Sequence, residues 1–237
     1  GIDLGSNNFR VLKKPKVAML IGEGVNSYEA GEVWHLLDTR IHMAVTKIRL
    51  NNYNRANLDR YNTLVMVSGN YSVLDSLQRQ KLKNWTKKGN TLITIAGASK
   101  WMVDKKMVKE SLTKKSTSKE EKDKKVTKRL PYVEASEHLG RERIGGAIFE
   151  VDLDITHPLG FGYRSSKLPV YKNNLVFLAP SKNPYATVAK YSENPHIDGY
   201  ISKNNLEKFI KPSASLVVSG IGGGRVVLFA DNPNFRG

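Results

Sequence analysis

Lys16-Val17-Ala18-Met19-Leu20-Ile21-Gly22 (16–22, KVAMLIG) is a continuous apolar run stopped by glycine. A strand with one wet face would alternate apolar and polar residues, so this run predicts a strand buried on both faces of a parallel sheet. After the loop 23–27, Ala30, Val33, Trp34, Leu37 and Ile41 recur at helical spacing, while Glu29, Glu32, His35 and Asp38 fall on other faces. Strand, loop and helix follow one another. Val45–Leu50 and Thr63–Val67 are the next strand candidates, the latter closed by Ser68, Gly69 and Asn70. A helix fits Val73–Lys87, with Leu74, Leu77, Leu82 and Trp85 broadly on one side and Gly89 as its stop. Thr91–Ala96 is a further strand ending at Gly97. Alternating strands and helices joined by short loops imply right-handed crossovers and an open parallel sheet. The fold class is α/β: flavodoxin-like, doubly wound, mostly parallel, with helices on both faces and strand-rich additions in the second half.

Those additions are Ala147–Leu153, Leu175–Ala179, Ala186–Tyr191, Ser215–Ser219 and Arg225–Ala230, all read as strands, with a short helical segment at Ile201–Phe209. Ser219–Gly224 (SGIGGG) joins two apolar runs and reads as a hairpin turn. The 237 residues are expected to form a single domain carrying one surface insertion at 104–130. With 40% hydrophobic and 25% charged residues the chain can bury a sizeable core, and its apolar runs fall far short of the ~18 residues that span a bilayer. Having no cysteine, the chain can form no disulfide, thiolate zinc site or thiol nucleophile.

Net charge is +16, a balance that raises polyanions as partners. Residues 100–129 hold twelve Lys or Arg against five acids, a local excess of seven. From Thr113 to Thr127 the segment is Lys, Ser, Thr and acids with Val126 as its one aliphatic residue, so it reads as a solvated surface insertion. Lys dominates over Arg there, acids are interleaved and no aromatic is present for base stacking, so nucleic acid is not the expected partner.

In open α/β sheets ligands bind beyond the carboxyl ends of the strands. That rule points to Glu23–Tyr28, Ser68–Tyr71, Gly97–Trp101 and Asp231–Asn234, and within them to a crevice of Glu23, Ser27, Tyr28, Asn70, Ser99 and Asp231. Gly22-Glu23-Gly24 opens like a phosphate loop, but Ser27 stands where the third glycine is required and Glu23 repels phosphate. Gly97-Ala98-Ser99-Lys100-Trp101 follows a buried strand and resembles a nucleophile elbow whose last glycine is missing. A serine there needs a base. His138, His157 and His196 are available, but His157 precedes Pro158 in a turn and the others sit in polar stretches. His35 and Asp38 share a helix face, two ligands that do not by themselves make a metal site, and Glu120/Glu121 and Asp152/Asp154 are paired carboxylates, the second pair expected on one face of a strand.

Three segments carry a resemblance: VAMLIGEGVNSYEAGEVWHLLDTR (17–40), IGGAIFEVDLDITHPLGFGY (144–163) and GGGRVVLFADNPNFRG (222–237). They resemble the C-terminal region of secreted bacterial zinc carboxypeptidases of the carboxypeptidase A type, a region similar in fold to class I glutamine amidotransferases. The resemblance implies a flavodoxin-like amidotransferase domain of a longer enzyme, secreted or periplasmic, whose upstream peptidase domain would be its partner and would hold the zinc. Peptide or glycopeptide is the implied ligand. That family's His-x-x-Glu zinc pair is missing here, so no residue of this chain is given a metal. Glutamine amidotransferases place a Cys at the elbow, and the strand order puts Ala98 or Ser99 at that point. The resemblance therefore implies a catalytically inactive accessory domain, with two alternatives: a serine hydrolase using Ser99, and a polyanion-binding module using the Lys-rich segment.

Overall fold

The computed structural model describes residues 12–113, 129 and 131–235. Strand β1 (Val17–Ile21) lies inside the sheet, between β2 (Val45–Arg49) and β3 (Thr63–Met66), and is parallel to both. Its alternate residues serve two cores: Ala18 and Leu20 face one side, Val17 and Met19 the other. Both sides are apolar because both are covered. Helix α1 (Ser27–His35) brings Ala30 and Val33 to one face. Helix α2 (Ser76–Lys87) brings Leu82 and Trp85 to the opposite face, and α3 (Gly97–Asp104) adds Trp101 and Met102 to the same cluster.

Both long helices start where a polar side chain satisfies their free N–H groups. Asn26 Oδ1 accepts from Tyr28 and Glu29 N–H at 3.0 and 3.2 Å. Asp75 and Gln78 exchange side chain-to-backbone bonds at 2.8 and 2.9 Å, a capping box that starts α2 three residues later than the apolar spacing suggests. One consequence is a correction: Leu77, expected on the core side, is 79% exposed, and the inward face is Leu82, Trp85 and Thr86.

Strand β4 (Thr91–Ile95) pairs with β3 and, on its other side, with β9 (Gly224–Phe229), again in parallel. From β9 outward the sense changes. The full order is β2-β1-β3-β4-β9-β8-β7-β5-β6, with β8 (Ala214–Ile221), β7 (Thr187–Gly199), β5 (Ala147–Leu153) and β6 (Lys167–Lys172) all antiparallel to their neighbours. Strand β9 is thus the seam between a parallel and an antiparallel half. The turn between β8 and β9 is the expected glycine hairpin, with Ile221 opposite Gly224 and Gly222 at φ +59°. Gly224 is required for another reason: a Cβ there would sit 1.9 Å from Thr86 O at the end of α2.

The antiparallel half curls. Leu168 and Val170 of β6 pack in the same cluster as Val227 and Phe229 of β9, four strands away in the sheet. Strand β6, absent from the strands expected above, contains Pro169; it is an edge strand, where a missing N–H is tolerated. Leu175–Ala179, expected as a strand, forms only single bridges, Leu178 to Leu112 and to Ala214. The first residues of the stretch expected as an insertion, 104–113, are packed. Met107 and Val108 are buried in the main core, and Thr113 N–H donates to Phe177 O at 2.8 Å, so the chain stays part of the fold through 113. Residues 114–128, including the Glu120/Glu121 pair and most of the Lys-rich segment, lie outside the described residues.

Candidate functional site

The ladder between β4 and β9 ends at Ile95 opposite Phe229, and the next residue turns sharply. Ala96 sits at φ +45°, ψ −106° and caps α3, while its N–H still donates to Phe229 O at 2.8 Å. Positive φ with that ψ lies outside the left-handed well that non-glycine residues sometimes occupy, and such strain persists only where the surroundings impose it. They do: Gly97 N–H donates to Ser68 Oγ at 3.0 Å, and a Cβ on Gly97 would press on Ser68 at 3.2 Å. This is the strand-to-helix elbow, and its apex side chain is a methyl.

The elbow is therefore at Ala96, correcting the expectation of Ala98 or Ser99. Ser99 lies within the first turn of α3 and is fully buried. Its Oγ lies 2.8 Å from Phe229 O, 3.0 Å from Thr94 O and 2.9 Å from Thr94 Oγ1. Carbonyls and a neighbouring hydroxyl take its hydrogen bonds; no imidazole is among these partners. Two of the three candidate histidines have other engagements. His157 Nδ1 accepts from Leu159 N–H at 3.1 Å, capping the turn at Pro158–Gly160, and His196 Nε2 lies 2.7 Å from Gly199 O. His138 lies in the short helix Ala135–Arg141.

Around the elbow stand side chains outside the six-residue crevice expected from the sequence. Glu29, in the first turn of α1, accepts from Ser68 N–H through Oε2 at 2.8 Å. Burial raises its carboxyl above the ordinary value, opposed by the Ser68 hydrogen bonds and reinforced by Glu32 nearby. Glu32 in turn accepts from Asn232 Nδ2 at 2.5 Å. The edge built by Glu29, Glu32, Ser68, Ala96 and Asn232 thus lies at the carboxyl ends of β3, β4 and β9, where the topological rule places a crevice. It holds carboxylates, hydroxyl and amide groups but no thiol or activated hydroxyl at the apex. The signal for Glu29 and Glu32 was their i, i+3 spacing in the helix after β1; Ser68 and Asn232 fall in the strand-end stretches Ser68–Tyr71 and Asp231–Asn234.

The six expected crevice residues do not converge. Glu23 and Asn70 line a depression of about 290 Å³ with Gly24 and Val73, and Asn70 N–H donates to Gly24 O at 2.7 Å. Ser27 lines a second depression of about 480 Å³ beside Trp34 and Lys47. Tyr28 points to solvent, 86% exposed. Ser99 is underneath the elbow, and Asp231 belongs to a third place. The reason is geometric: residues at a strand end and in the following helix turn project in diverging directions, so proximity in sequence does not bring their side chains together. Asp154 lies just past β5, which ends at Leu153, and lines one depression of about 290 Å³ together with Asp152; its carboxylate accepts from Thr156 N–H and Oγ1, which hold it below the ordinary carboxylate value.

Asp231 is buried with Lys172, Tyr191 and Ser215. Lys172 Nζ lies 3.0 Å from Asp231 Oδ1, 2.7 Å from Val176 O and 3.2 Å from Asn174 Oδ1. Tyr191 OH lies 2.9 and 2.8 Å from the two Asp231 oxygens, and Ser215 Oγ donates to Oδ2 at 2.5 Å. Burial pushes the Lys172 ammonium below its ordinary value, with Asp231 opposing, and pushes the Tyr191 phenol up. A cavity of about 340 Å³ opens beside this cluster, inside the curl of the sheet.

Among the described residues no three His, Asp or Glu side chains gather as a metal site, and none surrounds His35 and Asp38. The donor set for the zinc implied by the resemblance is thus not found in these residues. No helix among them is long and apolar enough to cross a membrane.

No protein-family model matches the chain, and no curated protein matches it. Solved structures do. A ThuA-like protein from Parabacteroides merdae superposes with a TM-score of 0.54 at 9% identity, over 92% of this chain and 79% of that one. A protein assigned as a GMP synthase subunit, from Thermoplasma acidophilum, gives 0.49 at 10% identity, over 94% and 87%. A glutamine amidotransferase from Thermotoga maritima gives 0.49 at 12% identity, over 90% and 74%. At these identities the likeness is one of fold. The chain shares the α/β fold of the ThuA-like protein.

Proposed function

We propose that this chain is a catalytically inactive, amidotransferase-like accessory domain that packs against the peptidase domain of a secreted or periplasmic zinc carboxypeptidase, or recruits its peptide or glycopeptide substrate. The observation that carries the reading is Ala96: the strained apex of the elbow bears a methyl, which has no lone pair to attack a carbonyl and no proton to give up. Architecture and chemistry separate at this residue, as they do wherever one fold serves several functions. The carboxypeptidase context rests on the resemblance of segments 17–40, 144–163 and 222–237. On this reading the zinc belongs to the other domain and no step of peptide hydrolysis runs through these residues.

The test is turnover by the 237-residue chain on glutamine, ester and peptide substrates, with Ser99→Ala alongside. No turnover above buffer is expected from either protein. Turnover abolished by Ser99→Ala overturns the reading in favour of a serine hydrolase. Added to the peptidase domain of its parent protein, the chain is expected to lower KM for long peptides and leave kcat unchanged; an unaltered KM removes the recruitment role and leaves packing alone.

A further inference from the structure

The cavity beside Asp231 adjoins the elbow edge through Asn232 and Phe229, which line it, while Ala96, Ser68, Glu29 and Glu32 do not. Its walls are Leu153, Leu168, Val170 and Leu216 with the rings of Tyr171 and Phe235, which stack on each other with centroids 3.6 Å apart. The half-exposed Tyr163 stands at its mouth, and the buried Ser215 and Asp231 form its inner end. At about 340 Å³ it falls at the small end of ligand pockets, where one ring rather than a chain of rings is the natural content.

The hydrogen-bond inventory of the inner end decides what that ring must carry. Every proton of Lys172 is committed, to Asp231, Val176 O and Asn174 Oδ1. The single protons of Tyr191 and Ser215 go to Asp231. A carboxylate offers about four lone-pair sites, and three donors occupy Asp231, so one remains; Ser215 Oγ, having donated its proton, also keeps its lone pairs. Asp231 and Ser215 offer acceptors, while the Asn232 amide, which also lines the cavity, gives one proton to Glu32 and keeps one. An anion finds that single amide proton beside a carboxylate, and a cation finds a carboxylate already neutralised by Lys172 at 3.0 Å. A pyranose ring would leave most of its hydroxyls facing aliphatic walls. We propose that the cavity binds a neutral phenolic ring, its face against the aromatic and aliphatic walls and its O–H donated to Asp231 or Ser215.

A phenol can arrive as a free small molecule or as a tyrosine side chain, and the experiment separates the two. Methyl-labelled whole chain is titrated with p-cresol, p-methylanisole and N-acetyltyrosinamide while the Leu153, Leu168, Val170 and Leu216 methyl signals are followed by NMR. Saturable shifts with p-cresol are expected, with affinity about tenfold above that of p-methylanisole, which has lost the donor. Leu168→Trp, which fills the cavity, is expected to abolish them. N-acetyltyrosinamide binding as well as p-cresol supports the site and names a peptide source; weaker binding supports the site and names a free phenol. Absence of saturable shifts at these methyls in the unmodified chain overturns the proposal, as does equal affinity for p-cresol and p-methylanisole. The comparison of ligands on the unmodified chain stands even if Leu168→Trp does not fold.

Discussion

Lys172 Nζ lies 3.0 Å from Asp231 Oδ1 with both side chains withdrawn from water, joining the edge strand β6 to the residue just past the central strand β9. Such a pair is worth little beyond an apolar replacement, but removing one member leaves a charge buried without its counterpart. Lys172→Met is expected to lower stability by about 3–5 kcal/mol, read from urea denaturation. Lys172→Met with Asp231→Asn is expected to lose clearly less than the two single losses added together. Additive losses would mean that the two residues do not act as a pair.

Ala96 holds a backbone conformation suited to glycine. Relief of that strain outweighs the added chain entropy of glycine, so Ala96→Gly is expected to stabilise by about 1 kcal/mol. Ala96→Val adds a branched side chain at positive φ and is expected to destabilise by about 2 kcal/mol or more. The comparison of urea midpoints reads both, and a loss of stability in Ala96→Gly would contradict the strained elbow.

Ser99 serves the elbow from below by tying the first turn of α3 to Thr94 and Phe229. Ser99→Ala is expected to cost about 1 kcal/mol, one buried hydroxyl's bonds, with no change in any hydrolytic rate. A structural role moves the urea midpoint; a catalytic one moves turnover.

Glu29 contributes a pH dependence of definite sign. Its carboxyl is raised by burial, so the native state holds the proton more tightly than the unfolded chain does. Its contribution to stability is complete below the ordinary value of 4.5 and is lost as pH rises from there through the raised native value. In Glu29→Gln, which keeps an acceptor for Ser68 N–H, this decline is expected to vanish. Urea midpoints measured from pH 4 upward test it; parallel profiles for the two proteins would rule the contribution out.

The parallel half was legible in the sequence because burial on both faces leaves an unbroken apolar run, as at Val17–Ile21. The hairpin at 219–224 was legible because consecutive glycines at a tight turn have few other uses. Other features were hidden for physical reasons. Strand β6 contains Pro169, which only an edge position tolerates, and edge position is a property of the whole sheet. The elbow was misplaced because a Gly-x-Ser pattern directed attention to Ser99, whereas the apex is set by where the β4–β9 ladder ends, a contact between residues 95 and 229. Lys172 carried no signal at all: a lysine in a polar-looking stretch reads as solvated until its partner, 59 residues away, is brought to it.

The seam strand has a consequence for how the protein is made. Because β9 stands between β4 and β8, nothing synthesised before residue 224 can complete either half of the sheet. Until those residues are made, the edges of β4 and β8 that flank β9 lack their partner and stay open to pairing with other polypeptides.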